Sequence, residues 1–230
     1  YQSRDLEITG IREADYDGEG LSFQMCRDVL IRDCRFDGNS GNGLHPGAGS
    51  TNVLFESCGG RDNAKSGFFF CVRANHITVR DCDFEHNDSG MSIGTRDCHN
   101  LIEDCRIRDN RRVGLLVRPS PRPVEVHTCH IRRCQISANG DAQVDITSDA
   151  HDLLFEDNRI DGEGQGIGIR VAATASSIGL VDNQISQCEH DVQIKNEASI
   201  GAPPQVSTCG YADAPASAFL HLSVPDLSPT

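Results

Sequence analysis

Residues 29–39 read VLIRDCRFDGN, and the stretch returns as VLFESCGGRDN at residues 53–63 and as ITVRDCDFEHN at residues 77–87. In each copy an asparagine follows the cysteine five positions later. The cysteine column continues for two more repeats, and asparagines take its place in the two after those. Columns of like residues at intervals of 23 to 29 residues indicate a structural repeat. The columns are Cys34, Cys58, Cys82, Cys105, Cys134, Asn158 and Asn183, and Asn39, Asn63, Asn87, Asn110 and Asn139.

Each repeat contains two short runs in which apolar and polar residues alternate. One run surrounds the cysteine, and a second follows a small residue, usually glycine, that comes after the asparagine. Alternation with a period of two is typical of half-buried strands, and a repeat of this length leaves no room for a helix of about 10 to 12 residues. The sequence therefore predicts an all-β chain, a right-handed parallel β-helix of about eight coils over residues 1–195.

Stacked coils would place like side chains one above another. We expect the asparagines to form a buried ladder, because carboxamides can bond to one another and to turn backbone. We expect the cysteines of the column to be core residues, since free cysteine is often buried. Parallel side chains of a stack point alike, which disfavours disulfides, and a linear column cannot build a tetrahedral metal site.

Composition limits the classes of partner. The chain has 230 residues, a formal net charge of −13 and no tryptophan. This acidic balance disfavours binding to nucleic acid or to a membrane surface, and an acidic substrate would need a local basic patch. The sequence does not indicate an oligomeric state.

The two ends of the chain differ from the repeat. The chain opens at Tyr1 without an apolar signal segment, so we expect a fragment or processed chain, and the residues alone leave its compartment open. After Asn196 the pattern fails and a run rich in alanine, serine and proline begins. We expect residues 196–230 to form a C-terminal cap or tail, with one last strand from Phe219 to Val224.

The second alternating run of each repeat presents an unusual outward face. It carries histidine, phenylalanine, hydroxyl, carboxylate and arginine side chains, and the insertion from Pro119 to Val126 is predicted to form a groove wall beside it. Phe69 could stack on a sugar or pack under a loop. The first outward column is His45, Phe69, Ser92, Leu116, Asp145, Gly168 and Gln193; the second is Gly47, Cys71, Gly94, Arg118, Thr147, Arg170 and Lys195; and Arg73, Arg96, Asp97 and Asp149 follow in the turns.

The coil pattern over residues 5–195 resembles the pectate-lyase-like superfamily of right-handed β-helices. Within it, residues 42–100 resemble the carbohydrate-processing branch that includes the mannuronan C5-epimerases, in which a strand ends in Asp-Pro-His-Glu. At the corresponding position this chain has His45-Pro46-Gly47-Ala48. The strand segment Asn52-Val53-Leu54-Phe55 follows it, and Gly67-Phe68 comes in the next coil. The proline and framework match, while His45 and Gly47 replace the Asp and His of the motif. The resemblance implies a polysaccharide partner and a secreted or periplasmic location.

The first functional hypothesis is a lyase or epimerase acting on a uronic-acid polymer. Such chemistry needs a base for the C5 proton, predicted to be His45, and cations for the carboxylate, predicted to be Arg73, Arg96 and Arg118. No cofactor is predicted; calcium stays open because many groove lyases use it to bridge uronates, but the carboxylates are scattered. Predicted substrate contacts are Phe69, Ser92, Thr147, Asp149, Arg170 and Lys195.

Two alternatives remain. A glycoside hydrolase would need two carboxylates about 5 to 10 Å apart, and Asp145 with Asp149, or Asp97 with Asp145, would supply them. A non-catalytic carbohydrate-binding or adhesin module would use the outward columns as a binding surface without a catalytic centre. An outward histidine is more often an ordinary surface residue, a strand arginine commonly pairs with a carboxylate, and Asp97 could simply bind turn amides. We favour the enzyme over the module.

Overall fold

The structure, a computed structural model, describes residues 2–119, 126–147, 149–195 and 206–207. The described residues contain strands and turns but no helix, and so no helix that could span a membrane. The predicted strand Phe219 to Val224 and most of the predicted groove wall, residues 120–125, lie outside the described residues, as does the predicted cap apart from residues 206–207. The all-β prediction is confirmed.

Three short strands separated by turns make up each coil, and eight coils follow one another. In chain order the strands are β1 Arg4–Thr9, β2 Arg12–Ala14, β3 Leu21–Phe23, β4 Arg27–Arg32, β5 Arg35–Asp37, β6 Leu44–Pro46, β7 Thr51–Glu56, β8 Gly59–Arg61, β9 Ser66–Phe69, β10 Asn75–Arg80, β11 Asp83–Glu85, β12 Ser89–Ile93, β13 Leu101–Glu103, β14 Arg106–Arg108, β15 Val113–Val117, β16 His127–Arg132, β17 Gln135–Ser137, β18 Ala142–Ile146, β19 His151–Glu156, β20 Arg159–Asp161, β21 Ile167–Ala172, β22 Ser176–Val181, β23 Gln184–Ser186, β24 His190–Lys195 and β25 Val206–Ser207.

Every third strand belongs to the same parallel sheet. Sheet 1 contains the first strand of each coil and ends with β25, sheet 2 contains the second strands, and sheet 3 contains the third strands. Each strand pairs with its counterpart one coil away; for example, Val53 pairs with Val29 on one side and Ile77 on the other. The chain is therefore a parallel β-helix of about eight coils, as predicted.

Apolar columns fill the interior, and each sheet supplies at least one of them. Their members are almost completely buried, and the alternating residues point outward. The columns predicted before and after the cysteine are confirmed. The principal core columns are Val29, Val53, Ile77, Cys129, Leu153 and Ile178; Ile31, Phe55, Val79, Ile102, Ile131, Phe155 and Leu180; Phe36, Phe84, Ile107, Ile136 and Ile160; and Leu44, Phe68, Met91, Leu115, Val144 and Ile169.

The asparagine ladder is present and buried. The carboxamide oxygen of Asn87 accepts from the backbone nitrogen and the side-chain nitrogen of Asn63, both at 3.0 Å. Asn87 in turn donates to Asn110 at 3.0 and 3.2 Å, and its amide also donates to the Gly60 carbonyl at 3.0 Å. Each rung therefore satisfies two backbone groups of the preceding coil that would otherwise be unpaired in the interior.

The ladder ends at a residue that the repeat pattern did not identify. Asn139 donates from its backbone and side chain to the Oε1 atom of Gln143 at 3.1 and 2.8 Å. Gln143 stands in the column otherwise occupied by glycine, beside Gly114. A Cβ on Gly114 would lie 2.6 Å from the side-chain amide nitrogen of Asn139. The absence of a side chain at the glycines therefore makes room for the ladder. In the sixth coil Gln143 takes the place of the glycine, and its carboxamide supplies the acceptor for Asn139 that the next coil lacks.

The five column cysteines are core residues, as predicted. Cys34, Cys58, Cys82, Cys105 and Cys134 are each at most 1% exposed. All cysteines in the described part of the chain are free thiols. The column then changes to asparagine, and Cys134 donates from its backbone nitrogen to the Asn158 carboxamide at 2.9 Å.

A single residue in the left-handed conformation forms the corner before this column in each coil from the second to the eighth. Its φ lies between 50° and 55°, a region that aspartate and asparagine tolerate better than most residues. Five of the seven residues are aspartate, which explains the recurring Asp-Cys and Asp-Asn pairs of the sequence. The corner residues are Asp33, Ser57, Asp81, Asp104, Arg133, Asp157 and Asp182.

Removing a ladder rung should destabilise the fold strongly. In Asn87→Ala, the Asn63 amides and the Gly60 carbonyl lose their partner in the interior, and each such loss costs about 1 to 3 kcal/mol. We expect a fall of at least about 3 kcal/mol in the free energy of unfolding, measured by denaturant titration. Gln135→Ala, at an exposed position of β17, is the control and should change stability by less than about 0.5 kcal/mol. Equal effects in the two variants would contradict this assignment.

Candidate functional site

The outer face of sheet 3 gathers five of the twelve predicted site residues into one column. The predicted order is confirmed up to Asp145 but is wrong in the seventh coil, where Arg170 rather than Gly168 pairs with Asp145. The turn before β21 is one residue longer there, and its Gly164 and Gly166 have φ of +91° and +68°. The core pair of that coil is accordingly Ile169 and Val171. The column is Ser22, His45, Phe69, Ser92, Leu116, Asp145, Arg170 and Gln193.

His45 lies in a largely enclosed part of this column. Its side chain is 16% exposed, its ring meets the Phe69 ring at 82° with 5.1 Å between centroids, and its Nδ1 atom is 3.4 Å from the Glu19 carboxylate. Neither ring nitrogen makes a hydrogen bond. Burial lowers the pKa of His45, although Glu19 acts in the opposite direction. The imidazole is therefore neutral at neutral pH.

Arg118 packs over the same phenylalanine. Its guanidinium carbon is 4.1 Å from the Phe69 ring centroid, which is a cation–π contact. The guanidinium donates to Ser92 Oγ at 3.1 Å and to the Phe70 carbonyl at 2.6 Å. Burial lowers the pKa of Arg118, but an arginine stays charged at neutral pH. Phe69 thus contacts a neutral imidazole and a guanidinium, and the three side chains form one patch.

The surroundings of Asp97 give its side chain a structural role. It is fully buried at the turn after β12, and its two oxygens accept from the backbone nitrogens of Ala74 at 2.9 Å and Gly94 at 2.8 Å. Burial raises the pKa of Asp97 to about 8, while the amides and the nearby Arg118 act in the opposite direction. The side chain braces two consecutive turns, which is the turn-amide alternative allowed by the sequence.

Asp145 and Arg170 form a second cluster further along the column. The guanidinium of Arg170 donates to Asp145 Oδ2 at 2.7 Å and to the Asp141 carbonyl at 3.3 Å. Asp145 is 6% exposed, and its Oδ1 atom is buried without a hydrogen-bond partner. Such an acceptor is costly to leave unpaired, and it is a suitable partner for a hydroxyl group of a ligand.

The remaining predicted residues lie at the edge of this face. Arg73 and Arg96 are exposed in successive turns after sheet 3, with φ of 66° and 62°. Asp149 is exposed in a later turn, and Lys195 is exposed at the end of β24. Thr147 donates its hydroxyl to the Val117 carbonyl at 2.8 Å, which occupies its proton. Glu19, the carboxylate beside His45, was not predicted because it lies in the first, weakly patterned coil.

The outer face of sheet 1 carries a larger network of paired charges than the single Asp145 and Arg170 pair of the sheet 3 column. On sheet 1, Glu103 is nearly buried and accepts from Arg80 at 2.8 Å and from Arg132 at 2.7 Å. Arg32 and Glu56 form a further pair at 2.8 Å. This arrangement explains these charged residues of sheet 1 as structural. Buried polar atoms without a hydrogen-bond partner occur on both sheets, at His130 Nε2 on sheet 1 and at His45 and Asp145 on sheet 3.

Comparison with known proteins agrees with this architecture. The family described as "Right handed beta helix region" matches residues 1–160 and 93–209. The chain belongs to this right-handed beta helix family. No curated protein matches the chain.

The solved structures similar to this beta helix protein include three kinds of carbohydrate-active enzyme. The Azotobacter vinelandii mannuronan C-5 epimerase AlgE6 A-module has a TM-score of 0.73 at 15% identity, covering 89% of this chain and 61% of that one. The periplasmic alginate epimerase AlgG has a TM-score of 0.58 at 15% identity, covering 90% and 46%. A GH87 alpha-1,3-glucanase catalytic domain in complex with nigerose has a TM-score of 0.52 at 10% identity, covering 89% and 48%. The chain spans about half to two thirds of these structures, and the likeness shows the fold alone.

Calcium in the groove of this beta helix protein stays an open alternative rather than a prediction. The sheet 3 column contains one carboxylate, Asp145, rather than a cluster. A group of two carboxylates and a histidine does occur elsewhere, formed by Glu85, His86 and Asp109 at the end of sheet 2. Calcium prefers six to eight oxygen ligands, more than this group supplies.

The role of Asp97 can be tested by stability. Asp97→Ala leaves the Ala74 and Gly94 amides without acceptors and should lower the free energy of unfolding by about 2 to 4 kcal/mol. Asp97→Asn keeps one acceptor oxygen and should cost less than the alanine variant. Asp149→Ala, in an exposed turn, serves as control in the same denaturant titration and should stay within about 0.5 kcal/mol of the parent. An Asp97→Ala variant as stable as the parent chain would contradict the bracing role of this side chain.

Proposed function

We propose that this chain acts on a uronic-acid polysaccharide that lies along the outer face of sheet 3, and that it abstracts the C5 proton of a uronate residue. The step is common to lyases and to C5-epimerases. The observation that carries the proposal is the patch formed by His45, Phe69 and Arg118, in which a neutral imidazole and a guanidinium contact one aromatic ring. The similar epimerase structures give the proposal a context of fold only.

His45 is the proposed base. A base must be deprotonated before it takes a proton, and the lowered pKa of His45 keeps the imidazole neutral at neutral pH. Glu19, 3.4 Å from Nδ1, would stabilise the imidazolium that forms after proton transfer. Because both ring nitrogens are covered and unbonded, the surrounding side chains have to shift when substrate binds, and a substrate group would supply the missing partner.

Arg118 is the proposed partner of the substrate carboxylate. Removing the C5 proton builds negative charge on that carboxylate, and a fixed cation in a poorly solvated patch stabilises this charge. Arg118 is held by Ser92 Oγ and the Phe70 carbonyl, so its position is set before substrate arrives. Arg73 and Arg96, exposed at the edge of sheet 3, would contact carboxylates of neighbouring sugar units.

Asp145 and Arg170 would bind the polymer away from the reacting unit. Asp145 is three rungs from Phe69, about 14 Å by strand spacing, so a ligand that contacts both has several sugar units. The unpartnered Oδ1 atom of Asp145 would accept from a sugar hydroxyl. Of the two aspartate pairs considered for a hydrolase, Asp97 with Asp145 is less well supported, because both oxygens of Asp97 are engaged by turn amides. The pair of Asp145 and Asp149 stays an alternative.

The decisive experiment measures exchange of the hydrogen at C5 of the uronate residues with solvent. The chain is incubated with poly-mannuronate, poly-guluronate and polygalacturonate in deuterated water, and incorporation of deuterium at C5 is measured by NMR, together with unsaturated products and the ratio of epimers. We expect incorporation by the parent chain and a loss of about 100-fold or more in His45→Gln. His190→Gln, at an exposed position of β24, is the matched control and should retain the rate.

The outcomes separate the alternatives. Exchange with unsaturated products identifies a lyase, and exchange with a changed epimer ratio identifies an epimerase. Binding of these polymers without exchange, by a folded chain, would leave only the carbohydrate-binding function. Reducing ends released from neutral glucans without exchange would support a hydrolase instead.

The pH dependence provides a second test. The neutral imidazole exists above the pKa of His45, which is lowered, so kcat/KM should be flat near neutral pH and should fall only below pH of about 6.5. Glu19 raises this pKa, so Glu19→Gln should move the acid limb to lower pH. Glu163→Gln, at an exposed position, is the control. An acid limb that does not move in Glu19→Gln would contradict the assignment of the base.

A further inference from the structure

We propose that Cys98, His99 and His127 form a zinc site where sheet 1 begins. The proposal is independent of the function assigned to sheet 3. One ligand atom from each of the three side chains lies within 4.8 Å of the others, and all three residues are half-buried. Cys98 and His99 open the fifth coil and His127 opens the sixth, and Cys98 pairs with His127 in a parallel bridge. The backbone stacking of two coils therefore brings the three side chains together.

The donor set fits zinc. A thiolate and two imidazoles are usual zinc ligands, at about 2.3 Å for sulfur and about 2.0 to 2.1 Å for nitrogen. Atoms bound to one tetrahedral zinc are roughly 3.5 Å apart, so donors that lie within 4.8 Å of one another have to approach by no more than about 1.3 Å. Side-chain rotation at half-exposed positions can provide this movement. Water would occupy the fourth position, since three protein donors are present.

A second observation points to a ligand here. The Nδ1 atom of His99 is buried and has no hydrogen-bond partner. A buried imidazole nitrogen normally bonds to a protein group or to water, because leaving it unpaired is costly. A cation bound between His99, Cys98 and His127 would satisfy this nitrogen.

Neighbouring side chains orient the two histidines. The His99 ring stacks on His76, with 5.1 Å between centroids and 3° between planes, and the His127 ring stacks on His151 at 5.2 Å and 5°. The Nδ1 atom of His127 lies 3.0 Å from Thr128 Oγ1, a contact that helps to fix the orientation of the ring. Contacts of this kind fix ring orientation and tautomer in metal sites. The four histidines thus form a continuous outward row with the candidate ligands at its centre.

The position of the site gives zinc a structural effect. Residues 118–126 connect β15 to the sixth coil, and this connection ends at His127. A metal held by Cys98, His99 and His127 would tie the end of the connection to the fifth coil. Because only the folded chain assembles the three donors, zinc should stabilise it against unfolding.

The test uses the whole chain, kept reduced, with Zn²⁺ and Co²⁺ as probes. Zinc stoichiometry and affinity are measured by competition with a chromophoric chelator, and Co²⁺ reports a thiolate ligand by a charge-transfer band in the near ultraviolet. We expect one zinc per chain, a thiolate band and a higher melting temperature with zinc. Cys98→Ser should abolish the band, and both Cys98→Ser and His99→Asn should weaken zinc binding by about 100-fold or more, beyond the usual effect of outer-shell changes.

The variants are chosen to keep the fold. His99 has a φ of 54°, which asparagine tolerates, so His99→Asn should leave the metal-free melting temperature nearly unchanged. The matched controls are His86→Asn, whose φ is 58°, and Cys188→Ser, outside the cluster. Both should bind zinc like the parent.

Two results would overturn the proposal. The first is the absence of zinc binding by the folded parent chain. The second is unchanged binding in Cys98→Ser and His99→Asn; if binding is then lost in His86→Asn, the metal belongs to the group of Glu85, His86 and Asp109.

Discussion

The buried asparagine ladder is the constraint on which the other features depend. Each carboxamide accepts two bonds from the coil before it, and this works only when consecutive coils are stacked without a shift of register. The glycines opposite the ladder give it space, and the cysteines fill the neighbouring column without competing for its bonds. With the register fixed inside, the outward residues also have fixed neighbours, and the groups on sheet 3 meet for that reason.

The sequence allowed much of this to be predicted, because a stacked coil turns a periodic position into a column. The core columns and most of the sheet 3 order are confirmed. The prediction was wrong where turn length changed, so Arg170 was placed one column away from Asp145. It also missed Gln143, which breaks the glycine column. A periodic pattern carries no information about a position that departs from it.

The site was harder to predict than the fold for a related reason. Sequence spacing tells which residues share a rung, but it does not tell how a turn directs a side chain. Asp97 follows Arg96 directly, yet one is buried against amides and the other is exposed. Glu19 reaches His45 from a coil in which the repeat is weak. The partners that tune an ionisable group therefore had to be found in three dimensions.

The left-handed corner residues have a consequence for how such a protein changes over time. One residue completes each corner before the cysteine column, and that residue is followed by the same core position in successive coils. A coil is consequently a repeating unit of about 24 residues that bonds to its neighbours and whose cross-section does not depend on how many coils there are. Duplicating or deleting one would lengthen or shorten the sheet 3 face by about 4.8 Å and leave the other rungs intact. The length of the sheet 3 face and the chemistry of any one rung can therefore evolve separately.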